Sequence, residues 1–194
     1  MKAPLNERLG EAFVNKSYKA LGLKLRPFSL WHLFLLTSGD SPFLEGKAMV
    51  GWRDLRWAIS ICRSKYPNVK WPSGWELAKS LLKCPYPDLG KELLNFYTYI
   101  LDHYSAPLLW QKEGGITEQH DILFGITQVI TALIGHGFSH EDAWNMPAGA
   151  AYWYFICIQK AKGAEVQIVS QGEIVAMEKV AKMRAKNVGI IGKN

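Results

Sequence analysis

Apolar residues recur along this chain at intervals of three and four, and alternation over four or more residues is scarce, a pattern that predicts helices rather than strands. In the clearest case Trp52, Leu55, Ile59, Cys62 and Tyr66 fall at i, i+3, i+7, i+10 and i+14, one face of a helix that Pro67 stops. A first helix is expected from Leu5 to Leu21, with Leu5, Leu9, Ala12 and Phe13 in one stripe and Gly22 as its stop. Ser29 reads as the N-cap of a short, very apolar helix closed by Ser38-Gly39. A short helix is expected from Trp75 to Lys83, Asp88 caps one running to Ser105, and Thr117 caps one reaching Ile134. After the Gly135-His136-Gly137 break, Ser139 and Asp142 resemble a capping box before a short helix to Met146. Pro147 then suits the first turn of a helix that Gly163 ends. Ala164 to Gln171 reads as extended, and Glu173 to Ala185 as a last helix.

These elements predict an all-α protein, a compact bundle of about seven or eight short helices. Residues 1–162 form a single helical domain, and the Gly114-Gly115 pair marks a division into two lobes near 111–116. Residues 163–194 supply a linker and a basic C-terminal helix and tail, free to protrude.

Between Asp121 and Glu141, and again between Asp142 and Lys160, there is no formal charge, which raises the question of a membrane hairpin. Thr127, Gln128, Thr131 and His136 in the first stretch, and Asn145, Pro147 and Gln159 in the second, argue against it. Both helices also fall short of the ~20 mainly apolar residues of a span, so a buried hairpin in a soluble fold is expected. With 194 residues, 48% hydrophobic and 21% charged, the chain is large enough for a real core and unlike a disordered or fibrous one. The three cysteines, Cys62, Cys84 and Cys157, are an odd set without C-x-x-C spacing, and MKAPLNERLGEAF lacks the apolar core of a signal peptide. Free thiols in the cytoplasm are expected, with Cys62 and Cys157 buried and inert in apolar helical surroundings.

A net charge of +6 hides three opposed blocks: +8 over residues 1–83, −7 over 84–178 and +5 over 179–194. The excess therefore points to two local basic surfaces rather than to a chain that binds polyanions as a whole. On the first, Arg53, Arg56 and Arg63 share a helix face with Trp57 nearby; on the second, Lys179, Lys182 and Lys186 fall at i, i+3 and i+7. Guanidinium groups beside an indole suit single-stranded nucleic acid, binding phosphates while the ring stacks on bases. They equally suit a carboxylate-rich protein partner. A solvated face with Trp57 turned into the core is the third reading. In the last helix, Ile174, Met177, Val180 and Ala181 add an apolar strip for docking, while its lysines also stabilise a helix C-terminus. Charge-complementary protein association, self-association included, fits the opposed blocks better than nucleic-acid binding does.

No catalytic constellation emerges. There is no H-E-x-x-H, G-x-S-x-G or G-x-x-x-x-G-K-[ST] pattern. His136 and His140 stand four apart, the spacing at which one helix face can share a metal ion, but Gly137 and the Ser139 cap interrupt that helix. Asp88 with Glu92 and Glu141 with Asp142 sit at helix N-termini, where the macrodipole favours negative charge, rather than around a substrate. The expectation is a non-enzymatic protein with no metal site and no cofactor.

Two stretches carry a resemblance. Gly137-Phe138-Ser139-His140-Glu141-Asp142-Ala143-Trp144-Asn145-Met146-Pro147 resembles helical phage tail assembly chaperones: a Gly-aromatic-Ser/Thr turn, an acidic short helix, then a Met-Pro step into a longer helix. Leu25-Arg26-Pro27-Phe28-Ser29-Leu30 is similar to the opening segment of some of those proteins. The resemblance implies a non-enzymatic helper in the host cytoplasm that binds the apolar helices of a long tail-ruler protein until the tube assembles around them. Such work calls for an adaptable apolar groove and no cofactor. Met146 and Pro147 thereby join the two basic surfaces as candidate partner contacts.

Overall fold

The computed structural model describes residues 13, 16–45, 50–69, 88–104, 122–165 and 168. Among them a short hairpin, β1 (Lys19–Ala20) and β2 (Leu23–Lys24), precedes α1 (Leu30–Ser38), α2 (Pro42–Glu45), α3 (Trp52–Ile61), α4 (Leu89–His103), α5 (Ile122–Ile134), α6 (His140–Asn145) and α7 (Ala148–Ala161). The chain is mostly α, as the three-and-four spacing predicts. Phe28, Leu30, Leu36, Leu55, Phe96, Tyr99, Ile126 and Leu133 are fully buried in one core, which Ala143, Ala148 and Ala151 of α6 and α7 join.

Local chemistry starts the helices where the sequence places them. Ser29 Oγ accepts the His32 backbone N–H at 3.4 Å while His32 Nδ1 accepts the Ser29 N–H at 3.1 Å, a capping box with histidine in the Glu position. Asp88 Oδ1 accepts from the N–H groups of Gly90 and Lys91, and Ser139 Oγ from that of Asp142. The starts of α1 and α7 are joined to each other. The Leu30 N–H donates to the Met146 carbonyl at 3.1 Å and the Ala148 N–H to the Phe28 carbonyl at 2.8 Å, pairing Ser29 with Pro147 in an antiparallel bridge.

The expected helix from Leu5 to Leu21 ends too late. Phe13 is helical, but residues 16–18 are not, and the chain reverses at Leu21-Gly22 with φ of 50° and 67°. Gly22 adopts the left-handed region freely, whereas for Leu21 it costs ~1 kcal/mol. The row Glu92, Asn95, Tyr99 and Asp102, at i, i+3, i+7 and i+10 on α4, outweighs that cost. Glu92 Oε2 accepts the Leu21 N–H at 2.8 Å, Asn95 Nδ2 donates to the Lys19 carbonyl at 2.5 Å, and the Tyr99 hydroxyl donates to the Arg26 carbonyl at 2.8 Å. The Asp102 carboxylate closes the row, accepting from the Tyr18 hydroxyl and pairing with Lys16 at 3.0 Å. At ~1 kcal/mol per bond, the four hydrogen bonds to Leu21, Lys19, Arg26 and Tyr18 override local helix propensity, and the exposed Lys16 pair adds little.

The helix expected to reach Tyr66 stops at Ile61, because its released backbone is claimed elsewhere. The Cys62 carbonyl accepts the Arg26 N–H at 3.1 Å, the Ser64 carbonyl accepts from His32 Nε2 at 3.0 Å, and the Tyr66 N–H donates to Asn145 Oδ1 at 3.0 Å. Tyr66 then stacks on Trp144 and meets Trp31 edge-on, and Trp31 stacks on Phe34. This cluster ties α1 to α6, each ring pair adding ~1 kcal/mol beyond its buried area.

Helix α4 ends at His103, close to the expected Ser105, and the four-residue α2 is an element the spacing does not predict. Helices α5 and α7, 13 and 14 residues long, are the two charge-poor stretches. Among the described residues no helix is long and apolar enough to cross a membrane. Ala164 and Glu165 are non-helical and Ile168 makes a single bridge, in keeping with an extended stretch after Gly163. The expected helices Trp75–Lys83 and Glu173–Ala185, the Thr117 cap and the lobe division near 111–116 lie outside the described residues.

Candidate binding surfaces

The first turns of α3 face the turn between α1 and α2 across an open cleft of about 710 Å³. Asp54 sets the start of α3 by accepting the Gly51 N–H at 2.9 Å. Trp52, Arg53, Arg56 and Trp57 then line one wall, with Gly39, Asp40 and Pro42 opposite. A Cβ at position 39 would collide with Cη2 and Cζ2 of Trp57, so a larger residue there must displace the indole. Trp57 is half-buried, packed against the core while it also lines the cleft.

Three of the sequence candidates, Arg53, Arg56 and Trp57, therefore come together. Arg63 does not join them: α3 ends at Ile61, which places Arg63 half-buried in the following turn and away from the cleft lining. Among the described residues neither Arg53 nor Arg56 pairs with a carboxylate, and Arg56 Nε is shielded from water without a hydrogen-bond acceptor. Met146 and Pro147 are half-buried at the α1/α7 joint, where Met146 packs on the core. Lys179, Lys182 and Lys186 lie outside the described residues.

The spacing of residues does not foretell a second surface. Between α5 and α7 runs a groove of about 590 Å³, with Phe124, Ala132 and Phe155 as its apolar part and Thr127, Gln128, Thr131, Gln159 and Lys162 around them. Phe124 is 51% exposed, and so is Ile122 two residues before it, which is unusual for rings and branched chains on so apolar a helix. The buried residues of α5 are Ile126, Val129, Ile130 and Leu133. Phe124, Gln128 and Thr131, at i, i+4 and i+7, form a different row, as do Phe155 and Gln159 on α7 with Lys162 just past its end. Those rows are visible in the sequence, but the richness in apolar residues makes both helices read as wholly buried.

The remaining titratable groups serve the fold. His32 is buried between its two bonds; because Nδ1 accepts from Ser29, Nε2 carries the proton donated to Ser64, and burial lowers the pKa to about 4. His103 donates from Nδ1 to the Tyr99 carbonyl at 2.9 Å, and burial lowers its pKa as well. The Tyr18 hydroxyl holds the Asp102 carboxyl below its ordinary value. Cys62 is buried, its thiol pushed up to about 12, as expected of an inert cysteine; Cys157 departs from expectation, because it sits on the solvent side of α7. Members of the two carboxylate pairs act apart from one another. Glu92 anchors the hairpin, Glu141 pairs with Lys65 at 2.5 Å, Asp88 caps α4, and Asp142 accepts the hydroxyl of the Ser139 cap at 2.6 Å. His136 lies in the turn after α5 and bonds the Ala132 carbonyl, whereas His140 opens α6 and packs against Tyr66. Among the described residues no group of three or more His, Cys, Asp or Glu is placed to hold a metal ion.

No protein-family model matches the chain, and no curated protein or solved structure is significantly similar to it.

Proposed function

We propose that the protein is a non-enzymatic, protein-binding assembly factor that shields apolar helices of a partner, of the kind that serves phage tail or baseplate assembly in a host cytoplasm. The groove between α5 and α7 is the observation that carries this reading. Two helices contribute rows at i, i+4 and i+7 to its walls, the geometry into which a third helix lays its own apolar row. Among its described lining residues only Lys162 is charged, so the groove selects by shape and apolar area more than by charge. The α1/α7 joint adds support, since the two segments that resemble tail assembly chaperones meet there backbone to backbone. The reading requires no cofactor.

Co-expression with a long helical tail-ruler protein tests it. The expected result is co-purification and a soluble partner that aggregates when expressed alone. Phe124→Asp, at an exposed position, is expected to weaken capture at least about tenfold without loss of folding. Failure to recover such a partner, or unchanged capture by the variant, would refute the proposal.

A further inference from the structure

We propose that the cleft between the α1–α2 turn and α3 is a second binding site, which receives a carboxylate side chain of a partner peptide on Arg53 and Arg56. The residue beside that carboxylate packs against the indoles of Trp52 and Trp57. This site is separate from the α5/α7 groove and stands whether or not that groove receives a helix.

Arg53 and Arg56 lie three apart on α3, so both project on one side, and both line the cleft. The two guanidinium groups share one face, and neither has a carboxylate partner among the described residues. The nearest acid in sequence, Asp54, is committed to the Gly51 N–H at the start of α3, where the positive end of the helix offsets its charge. Arg56 is half-buried and lines the cleft without any carboxylate partner among the described residues, so its guanidinium keeps its charge uncompensated in the free protein. A carboxylate matches the planar fork of a guanidinium in a way that a single point charge does not.

The other lining residues narrow the ligand. Two indoles offer broad apolar contact at little conformational cost, which favours a peptide over a bare small anion. Asp40 and Asp54 border the same cleft, so closely spaced phosphates of a nucleic acid would meet them, whereas one carboxylate set among apolar residues would not. Arginine with tryptophan therefore reads as peptide recognition here rather than as a base-stacking platform.

The test uses the full chain with arginine Nε–H groups followed by nitrogen-15 NMR, Arg53 and Arg56 being assigned from Arg53→Gln and Arg56→Gln. The probes are an acetylated, amidated dodecapeptide of glycine, serine and leucine with one central glutamate, the same peptide with glutamine in place of that glutamate, free sodium glutamate, and oligothymidylate. The glutamate peptide is expected to shift the Arg56 Nε–H signal saturably. The glutamine peptide should bind at least about tenfold more weakly, and Arg53→Gln should cost a similar factor. Arg53 is exposed, so its variant keeps the fold should Arg56→Gln fail to do so. Equal affinity for the two peptides, undiminished affinity in Arg53→Gln, or absence of any shift overturns the proposal. So does tighter binding of oligothymidylate, which would mark a nucleic-acid surface, or equal binding of sodium glutamate, which would mark a free-carboxylate site.

Discussion

Acidification from pH 7.5 to pH 5 is expected to weaken the fold through His32. In the unfolded chain this imidazole takes up a proton near its ordinary pKa of 6.5, whereas in the fold burial holds the value at about 4. Between those values the unfolded state binds more protons, so the contribution of His32 is complete above pH 6.5 and declines as pH falls toward 4. Each unit of separation is worth ~1.4 kcal/mol, which gives a loss on the order of 2 kcal/mol by pH 5 and ~3 kcal/mol across the full window. The lowered His103 and Asp102 also contribute to the pH dependence, and comparison with His32→Gln separates their share. The glutamine amide keeps a donor for the Ser64 carbonyl but loses the acceptor for the Ser29 N–H, at ~1–2 kcal/mol near neutral pH. Urea unfolding followed by tryptophan fluorescence should therefore show the wild-type advantage at pH 7.5 shrinking by ~2 kcal/mol at pH 5. Parallel losses in the two proteins would show that His32 is not held neutral by its surroundings, and the account of α1 built on its two bonds would fail.

Gly39→Ala should lower the melting temperature and alter the Trp57 environment, because the added methyl meets the indole; an unchanged melt would mean that the ring does not rest on the turn. Glu92→Ala and Asn95→Ala each remove one tie between α4 and the hairpin and should cost ~1 kcal/mol apiece, read by urea unfolding, with hydrogen exchange at Leu21 accelerating in Glu92→Ala. A maleimide should modify Cys157 in the folded protein and reach Cys62 only on unfolding, as peptide mapping by mass spectrometry would reveal; early labelling of Cys62 would contradict its place in the core.

What is legible in the sequence is whatever depends on neighbours within one or two turns. The caps at Ser29, Asp88 and Ser139 are local bonds between a side chain and the N–H two or three residues on, and each stands where the residue type puts it. The hairpin and the early end of α3 are not legible, because they are decided by groups far along the chain: Glu92 and Asn95 for Lys19–Leu21, and His32 and Asn145 for Ser64–Tyr66. The cleft is an intermediate case. Helical spacing places Arg53, Arg56 and Trp57 together, but the opposing wall at Gly39–Pro42 belongs to another element. The groove is hidden by composition, since a stretch as apolar as Ile122–Ile134 gives no sign of which of its rows is left uncovered.

The ties between the hairpin arm and α4 span 71 to 86 residues. A ribosome adding roughly 5–20 residues per second leaves the arm without its anchors for something like ~4 to 17 seconds after it is made. Over that interval the apolar Leu21, Leu25 and Phe28 have no Phe96 or Tyr99 to pack against, and the bridge from Ser29 to Pro147 must wait longer still. The beginning of this fold is thus a seam that sets last. Truncated nascent chains halted before α4 should be sticky and protease-sensitive, whereas chains halted beyond α7 should not, so this arm depends on partners that synthesis supplies only much later.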